Sequence, residues 1–312
     1  MGGNALKIPA LMITMGLGFS LGLFSQTVPS IPFSIPVNHP VLINPAFSGS
    51  KDFTNITLTS RVLKFSSQAL TLHKRLKARN GSYSRNGLGA FAFNEHFSTS
   101  WNTGFGLNGT YHLPLDQEHL HNISGGVSLK GIISGPKKSE MEAYDSAQIA
   151  FTPDLDLGIY YYGPHAYAGI SVTSLFESSD QMDSLTRTYA TIRRSYHLCA
   201  GYKFILYRDL GIVLEPSLLV SLNDETLKEP HRHITPYLKV YLQNFYLGTY
   251  FEVEDFDSIS LFFQYQFPRW FTGLFIEFPR KGYLNDDNIV FELSVGVNLG
   301  RNDTKFLQHR HW

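Results

Sequence analysis

The sequence predicts an all-β chain, a transmembrane antiparallel outer-membrane β-barrel of about 14 strands. Three observations carry that expectation. Apolar and polar residues alternate with a period of two along most of the 312 residues. The alternating windows mostly reach the ~9–11 residues that a tilted strand needs to cross a bilayer, where strands of soluble sandwiches run nearer ~5–6. The connections between windows alternate between short and long. Composition agrees with this: 17% of residues are charged, against about 25% in soluble domains. Aromatic residues make up 14%, with 24 Phe and 17 Tyr beside 26 Gly, a mixture that suits strands better than helices.

In chain order, "MGGNALK" carries a lone positive charge at Lys7, "IPALMITMGLGFSLGLF" is an uncharged apolar run, and "SQTVPS" turns polar after Ser25. This pattern reads as a secretory signal peptide over residues 1–25, cleaved near Ser25/Gln26, with a short membrane anchor as the alternative. No later run reaches the ~18 consecutive apolar residues of a membrane helix. Residues 26–50 form a proline-rich segment: Pro29, Pro32, Pro36, Pro40 and Pro45 precede the first strand. Proline cannot donate to a sheet ladder, so this segment is expected to run as an extended, polyproline-like path outside the strand count. Asn44-Pro45 favours a turn and Gly49 a joint. Val41, Leu42, Ile43 and Phe47 still need cover, and a barrel wider than eight strands has lumen to spare for a plug.

The barrel is expected over residues 51–299. Alternating windows fall at 53–60, 67–77, 87–97, 102–115, 119–133, 153–162, 165–175, 193–207, 209–222, 232–243, 244–254, 257–267, 269–279 and 287–299. In "IVFELSVGVNLG", for example, Ile289, Phe291, Leu293, Val295, Val297 and Leu299 oppose Val290, Glu292, Ser294, Gly296 and Asn298. If both chain ends lie in the periplasm, turns after even-numbered strands should be short. Gly163 to His165, Arg208-Asp209, Gln243-Asn244 and Pro268-Arg269 are short, while 134–152, 176–192, 223–231 and 280–286 are long and polar; 78–86 is the exception. A lipid-facing sheet edge would strand its N–H and C=O groups, so the first and last strands must pair. Trp101, Tyr111, Tyr207, Trp270 and Phe278 sit near strand ends, where interfacial aromatic girdles form. A basic tail, residues 300–312, follows.

Parity also sorts the charges. Lys203, Glu215, Lys239, Glu252 and Glu292 oppose the apolar residues of their strands and are expected in the lumen, either as paired, solvated charges or as a selectivity or partner surface. The register around Glu277 stays open, because Ile276 and Phe278 both suit lipid. A zero formal net charge argues against a nucleic-acid partner, and the single Cys199 excludes an intrachain disulfide and a cysteine-based zinc cluster. No catalytic residue, metal or cofactor is expected. "GFGLNG" matches G-x-G-x-x-G at Gly104, Gly106 and Gly109, but inside an alternating strand with no following helix. His119/His121 and His231/His233 lack a third ligand at suitable spacing, and no G-x-S-x-G elbow occurs.

"PVNHPVLINPAFSGS" resembles the amino-terminal signature of the PorP/SprF family of type IX secretion system membrane proteins. "FTPDLDLGIYYYGPHAYAGISVTSLF", "YHLCAGYKFILYRDLGIVLEPSLLV" and "NIVFELSVGVNLG" resemble that family's middle hairpin, the following pair and the closing strand. The chain departs from the family in its proline-rich rather than Gln-rich start, in lacking the family's common His before Glu292, and in its basic tail. The resemblance implies a non-enzymatic outer-membrane barrel that supports secretion or surface anchoring of a large cell-surface adhesin with a C-terminal sorting domain. Periplasmic ring components of the secretion and gliding machinery, together with outer-membrane lipid, are its further implied partners. The signature falls on Asn44, Pro45, Ala46 and Gly49, with Phe47 beside them, as a plug, a periplasmic cap or a partner-docking segment. A transport channel for hydrophobic or small polar solutes is the alternative.

Overall fold

The computed structural model describes residues 38–62, 66–77, 83–96, 100–136, 149–176, 193–224, 227, 234–251, 258–279 and 289–300. A short helix α1, Pro40–Ile43, and a 3-10 turn, Pro45–Phe47, come first. The strands follow as β1 Thr54–Val62, β2 Ser67–Lys77, β3 Tyr83–His96, β4 Ser100–Pro114, β5 Asn122–Pro136, β6 Ala150–Tyr162 and β7 Ala166–Thr173. The second half holds β8 Ser195–Tyr202, β9 Phe204–Tyr207, β10 Ile212–Asn223, β11 Ile234–Leu242, β12 Phe245–Phe251, β13 Ser258–Gln266, β14 Trp270–Pro279 and β15 Val290–Leu299. All pairings are antiparallel and, apart from β8 with β10, join sequence neighbours, and β1 pairs with β15 to close the ring, with Leu58 opposite Val295. Lys203 interrupts one strand to give β8 and β9, both of which pair with β10. The 15 segments therefore make a closed barrel of 14 strands.

The wall is inverted relative to a soluble protein. On β4, Leu107 is 68% exposed while its neighbour Asn108 is 2% exposed; on β5, Leu129 is 65% exposed while Ser128 is fully buried. Apolar side chains point outwards and small polar ones point into the lumen, which is what a lipid surround and a hydrated interior require. Tyr111, Tyr207, Trp270 and Phe278 are exposed near strand ends, as interfacial aromatics should be. No helix among the described residues is long and apolar enough to cross a membrane.

The open register resolves on β14. Phe271, Gly273 and Phe275 are buried on the lumen side, and Glu277 shares that side, with its Oε2 3.6 Å from an Arg61 guanidinium nitrogen. Both faces of this strand are apolar because the lumen here holds aromatic rings, so alternation alone left no sign of which face was which. The proline-rich segment differs from expectation in its described part. It does not run extended, because Pro40 and Pro45 each open a helical turn. The first helical position needs no N–H partner, and proline's fixed φ suits it.

Both chain ends of the barrel and the tight turns at 163–165, 208–211, 243–244 and 267–269 lie at one end. Residues 38–50 enter the lumen from that short-turn end. Val41, Leu42, Ala46 and Phe47 form one apolar cluster with Ala69, Phe91, Phe93, Tyr160 and Tyr162 of the wall. A second cluster, Leu219, Tyr237, Tyr250, Phe262 and Phe275, covers the opposite wall. Ile43 and Cys199 touch both.

Candidate functional site

Segment 38–50 is fixed to the wall of β1–β7 through its backbone. An Asn108 amide N–H donates to the Val41 carbonyl at 3.3 Å, Ser171 Oγ donates to the Ile43 carbonyl at 2.7 Å and Ser124 Oγ to the Ala46 carbonyl at 2.8 Å. The Ser48 carbonyl accepts from Thr110 Oγ1 at 2.6 Å and lies 3.0 Å from His112 Nε2. His112 Nδ1 is 2.8 Å from the Tyr162 hydroxyl, which in turn accepts from Arg75 at 2.6 Å. A tautomer with the proton on Nε2 serves every member: Arg75 donates to Tyr162, Tyr162 to His112 and His112 to Ser48. At the head of the segment, His39 is fully buried, its Nδ1 2.9 Å from Thr71 Oγ1 and its Nε2 2.7 Å from Thr59 Oγ1. Burial pulls its pKa down to about 3, so it is neutral at pH 7.

Asn44 is the pivot. Proline after it holds its backbone extended, at φ −134° and ψ 108°, and its Oδ1 accepts the Ala46 N–H at 2.9 Å to cap the 3-10 turn. Its Nδ2 reaches the sheet itself and donates to the carbonyls of Ile159 at 3.1 Å and Ile170 at 3.3 Å. That approach depends on glycine. A Cβ at Gly158 would stand 2.0 Å from Asn44 Oδ1, and one at Gly169 2.8 Å from Nδ2. A Cβ at Gly126 would meet Ala46 N at 2.4 Å, and Cβ atoms at Gly87 and Gly89 would meet Ser48 at 2.6 and 2.5 Å. Gly49 leaves the segment at φ +78°, a region that L residues avoid.

The four signature positions, with Phe47 beside them, therefore lie together in the lumen. Asn44, Pro45, Ala46 and Phe47 are buried, and the Phe47 ring packs edge-on to His73 at 5.5 Å and against Tyr160 at 5.3 Å. Their receptors on the wall, including Asn108, Ser124, Gly126, Gly158 and Ser171, were not singled out by sequence. Each sits on the inward parity of a strand whose outward residues are plainly lipophilic, so the parity used for the charges would have found Asn108, Ser124 and Ser171, whereas the glycines carry no such signal.

Of the predicted luminal charges, Lys203, Glu215, Lys239 and Glu292 do face inwards, and Glu252 lies outside the described residues. Glu215 accepts from Tyr167 at 2.9 Å, from Lys239 at 2.7 Å and from Tyr241 at 2.7 Å. Glu292 pairs with Arg61 at 2.7 Å. Lys130 between Asp156 at 2.6 Å and Asp154 at 3.3 Å forms a third inward cluster that sequence reading passed over. Dense mutual pairing makes these groups parts of the wall at least as much as free charges. Among the described residues no group of three His, Cys, Asp or Glu is placed to hold a metal ion. His121 instead meets the Tyr161 hydroxyl at 2.9 Å, and His231 and His233 lie outside the described residues. Two of the three glycines of "GFGLNG" have a packing use: Cβ atoms at Gly104 and Gly106 would strike the rings of Phe93 and Phe91, while one at Gly109 meets nothing within 4 Å.

Residues 32–297 match the family described as Type IX secretion system membrane protein PorP/SprF. Among curated proteins none matches. Solved structures with a similar fold include the KdgM porin, at 9% identity over 80% of this chain and 99% of that one, TM-score 0.37. BamA from Haemophilus ducreyi lacking POTRA domains 1-3 is similar at 11% identity over 79% and 70%, TM-score 0.41. CdiB from Acinetobacter baumannii is similar at 8% identity over 80% and 60%, TM-score 0.40.

Proposed function

Since the chain belongs to the PorP/SprF family of type IX secretion system membrane proteins, we propose that it is a non-enzymatic outer-membrane barrel serving one cell-surface adhesin. In this reading residues 1–25 are a cleaved signal peptide and the short-turn end faces the periplasm. The barrel supports secretion or surface anchoring of a large adhesin with a C-terminal sorting domain, and periplasmic ring components of the machinery dock at the short-turn end. Segment 38–50 is the working part: it plugs that mouth, and its Asn44-Pro45-Ala46-Phe47 turn is the element a partner engages or displaces.

The observation that carries the reading is how the segment is held. It is welded by its backbone carbonyls to one wall through side-chain donors, while no strand of the ladder depends on it. Such a segment can leave without opening the barrel. The test is deletion of the gene, followed by quantification of each adhesin at the cell surface. Loss of one specific adhesin, restored by the intact gene and not by the Asn44→Ala variant, is the expected result. Undiminished delivery of every adhesin defeats the proposal, and undiminished delivery combined with ion conductance in planar bilayers favours a transport channel.

A further inference from the structure

Segment 38–50 leaves a recess of about 160 Å³ between itself and the wall that runs from β10 round to β1. The recess lies towards the short-turn end: Asn55 is the second residue of β1, Gln266 the last of β13 and Phe271 the second of β14. On this wall the polar groups are amides, and their hydrogen-bonding capacity is only partly spent. Asn55 Nδ2 donates to Asn298 Oδ1 at 2.8 Å and Asn55 Oδ1 accepts from Thr57 Oγ1 at 3.0 Å, which leaves both Asn298 Nδ2 N–H groups without a partner among the described residues. Gln266 Nε2 donates to the carbonyls of Phe267 at 2.9 Å and Trp270 at 3.3 Å, which leaves its Oε1. Half-buried Gln264 makes no side-chain hydrogen bond among the described residues. An amide both donates and accepts, so the three side chains together offer both functions to a ligand.

Two aromatic rings lie beside the amides. Phe262 stands opposite Gly248 and Phe271 opposite Gly296, and a Cβ on either glycine would come within 2.0 Å and 2.1 Å of the facing ring. The missing side chain lets each ring fold down across the neighbouring strand, so that one face covers the glycine and the other is turned to the recess. The charged groups that border the recess are engaged with the protein. Lys239 and Glu215 pair at 2.7 Å, Glu215 also accepts from Tyr167 and Tyr241, and the Lys51 ammonium stands 5.9 Å and 5.6 Å from the ring centres of Phe47 and Phe53.

We propose that this recess binds one neutral sugar ring, which lays a C–H face on Phe262 or Phe271 and exchanges hydrogen bonds between its hydroxyls and the amides of Gln264, Gln266 and Asn298. The space suits a single six-membered ring, since a cavity of about 150 Å³ admits benzene. A bare hydrocarbon ring would leave the amide groups unmet, at about 1–3 kcal/mol for each one buried. An inorganic ion has no face to set against the aromatic rings. A sugar answers both surfaces, because each hydroxyl donates and accepts while the ring faces are C–H. The same chemistry can arrive as a free sugar or as the terminal residue of a glycan. The inference goes beyond the secretion role and does not rest on it.

The experiment is saturation-transfer NMR on the full mature chain in micelles of an amine-oxide detergent, which carries no sugar headgroup, with protein-free micelles as blank. The probes are the methyl glycosides of glucose, galactose, mannose and N-acetylglucosamine, with cyclohexylmethanol as a ring of the same size that lacks ring hydroxyls. At least one glycoside is expected to saturate below about 10 mM and to bind at least about tenfold more tightly than cyclohexylmethanol, the worth of one or two neutral hydrogen bonds. Gln264→Leu is expected to weaken that glycoside at least about fivefold while cyclohexylmethanol binds as well as before or better. Equal binding of the corresponding disaccharide glycoside identifies the end of a glycan chain, and its exclusion identifies a free sugar. Failure of all four glycosides to saturate overturns the proposal, as does cyclohexylmethanol binding as tightly as the glycosides or an unchanged glycoside affinity in Gln264→Leu. Should that variant fail to show heat-modifiable migration, the glycoside and cyclohexylmethanol pair on the unmodified chain decides.

Discussion

Gly125 and Gly126 are adjacent on β5 and differ only in the face they present, so the pair isolates the seating of segment 38–50. A Cβ at Gly125 meets nothing within 4 Å, whereas one at Gly126 would lie 2.4 Å from Ala46 N, 2.5 Å from Ala46 Cα and 2.6 Å from the Pro45 carbonyl carbon. These are backbone atoms and cannot swing aside. To reach ordinary contact at 3.4 Å the segment must retreat by about 1 Å. That stretch breaks the 2.8 Å bond from Ser124 Oγ to the Ala46 carbonyl and strains those that Asn44 makes to β6 and β7. The broken hydrogen bond at about 1 kcal/mol, the two strained ones at about 0.5 kcal/mol each and about 1 kcal/mol of overpacking give about 3 kcal/mol, roughly a hundredfold in the seated fraction. Alanine favours a strand over glycine, so the barrel itself loses nothing. Hydrogen exchange followed by mass spectrometry on peptides covering 38–50 reads the effect. Gly126→Ala should exchange about a hundredfold faster there with β5 unchanged, and Gly125→Ala should match the parent. Equal exchange in the two variants would refute the close seating.

Three further outcomes are expected. His39 carries a pKa of about 3 when seated and about 6.5 once released, so the released state binds more protons between those values. The His39 contribution to seating is therefore fully present above about pH 6.5 and weakens as pH falls towards 3; exchange of 38–50, corrected for its intrinsic pH dependence, should show this, and His39→Gln should reduce it, leaving what His73 and His112 contribute where they face Phe47 and Ser48. Glu215→Gln leaves the Lys239 ammonium buried without its carboxylate and should destabilise the barrel by about 3–5 kcal/mol, seen as a lower midpoint in heat-modifiable migration; adding Lys239→Met should restore most of the loss. Val295→Pro removes a ladder N–H in the closing strand, where Val295 stands between Leu58 and Thr272, and should reduce folded protein in the outer membrane; unchanged amounts would contradict the register.

The sequence was legible where one face of a strand differs from the other. Alternation located every strand to within a few residues, joined β8 and β9 across Lys203 as one window, and turned four described charges into the lumen. It failed on β14, where Phe271 and Phe275 give the lumen side the same hydropathy as the lipid side. Helical turns at Pro40 and Pro45 were hidden because proline suits an extended path and a first helical position equally well. The glycines under the segment were hidden for a different reason. Gly126 and Gly158 carry no hydropathy signal, and their use is defined by what lies above them, which only the folded chain supplies.

The lumen is divided by chemistry as well as by space. Towards β1–β7 small polar inward residues offer donors to the carbonyls of Val41, Ile43, Ala46 and Ser48, beside the rings of Phe91, Phe93, Tyr160 and Tyr162. Towards β10–β15 the second cluster is largely aromatic, and the segment meets it through Ile43 beside the recess. The donors to the segment's carbonyls all come from β4, β5 and β7, so the polar part of the free energy of seating is concentrated on one side, and the segment can move without any ladder bond breaking.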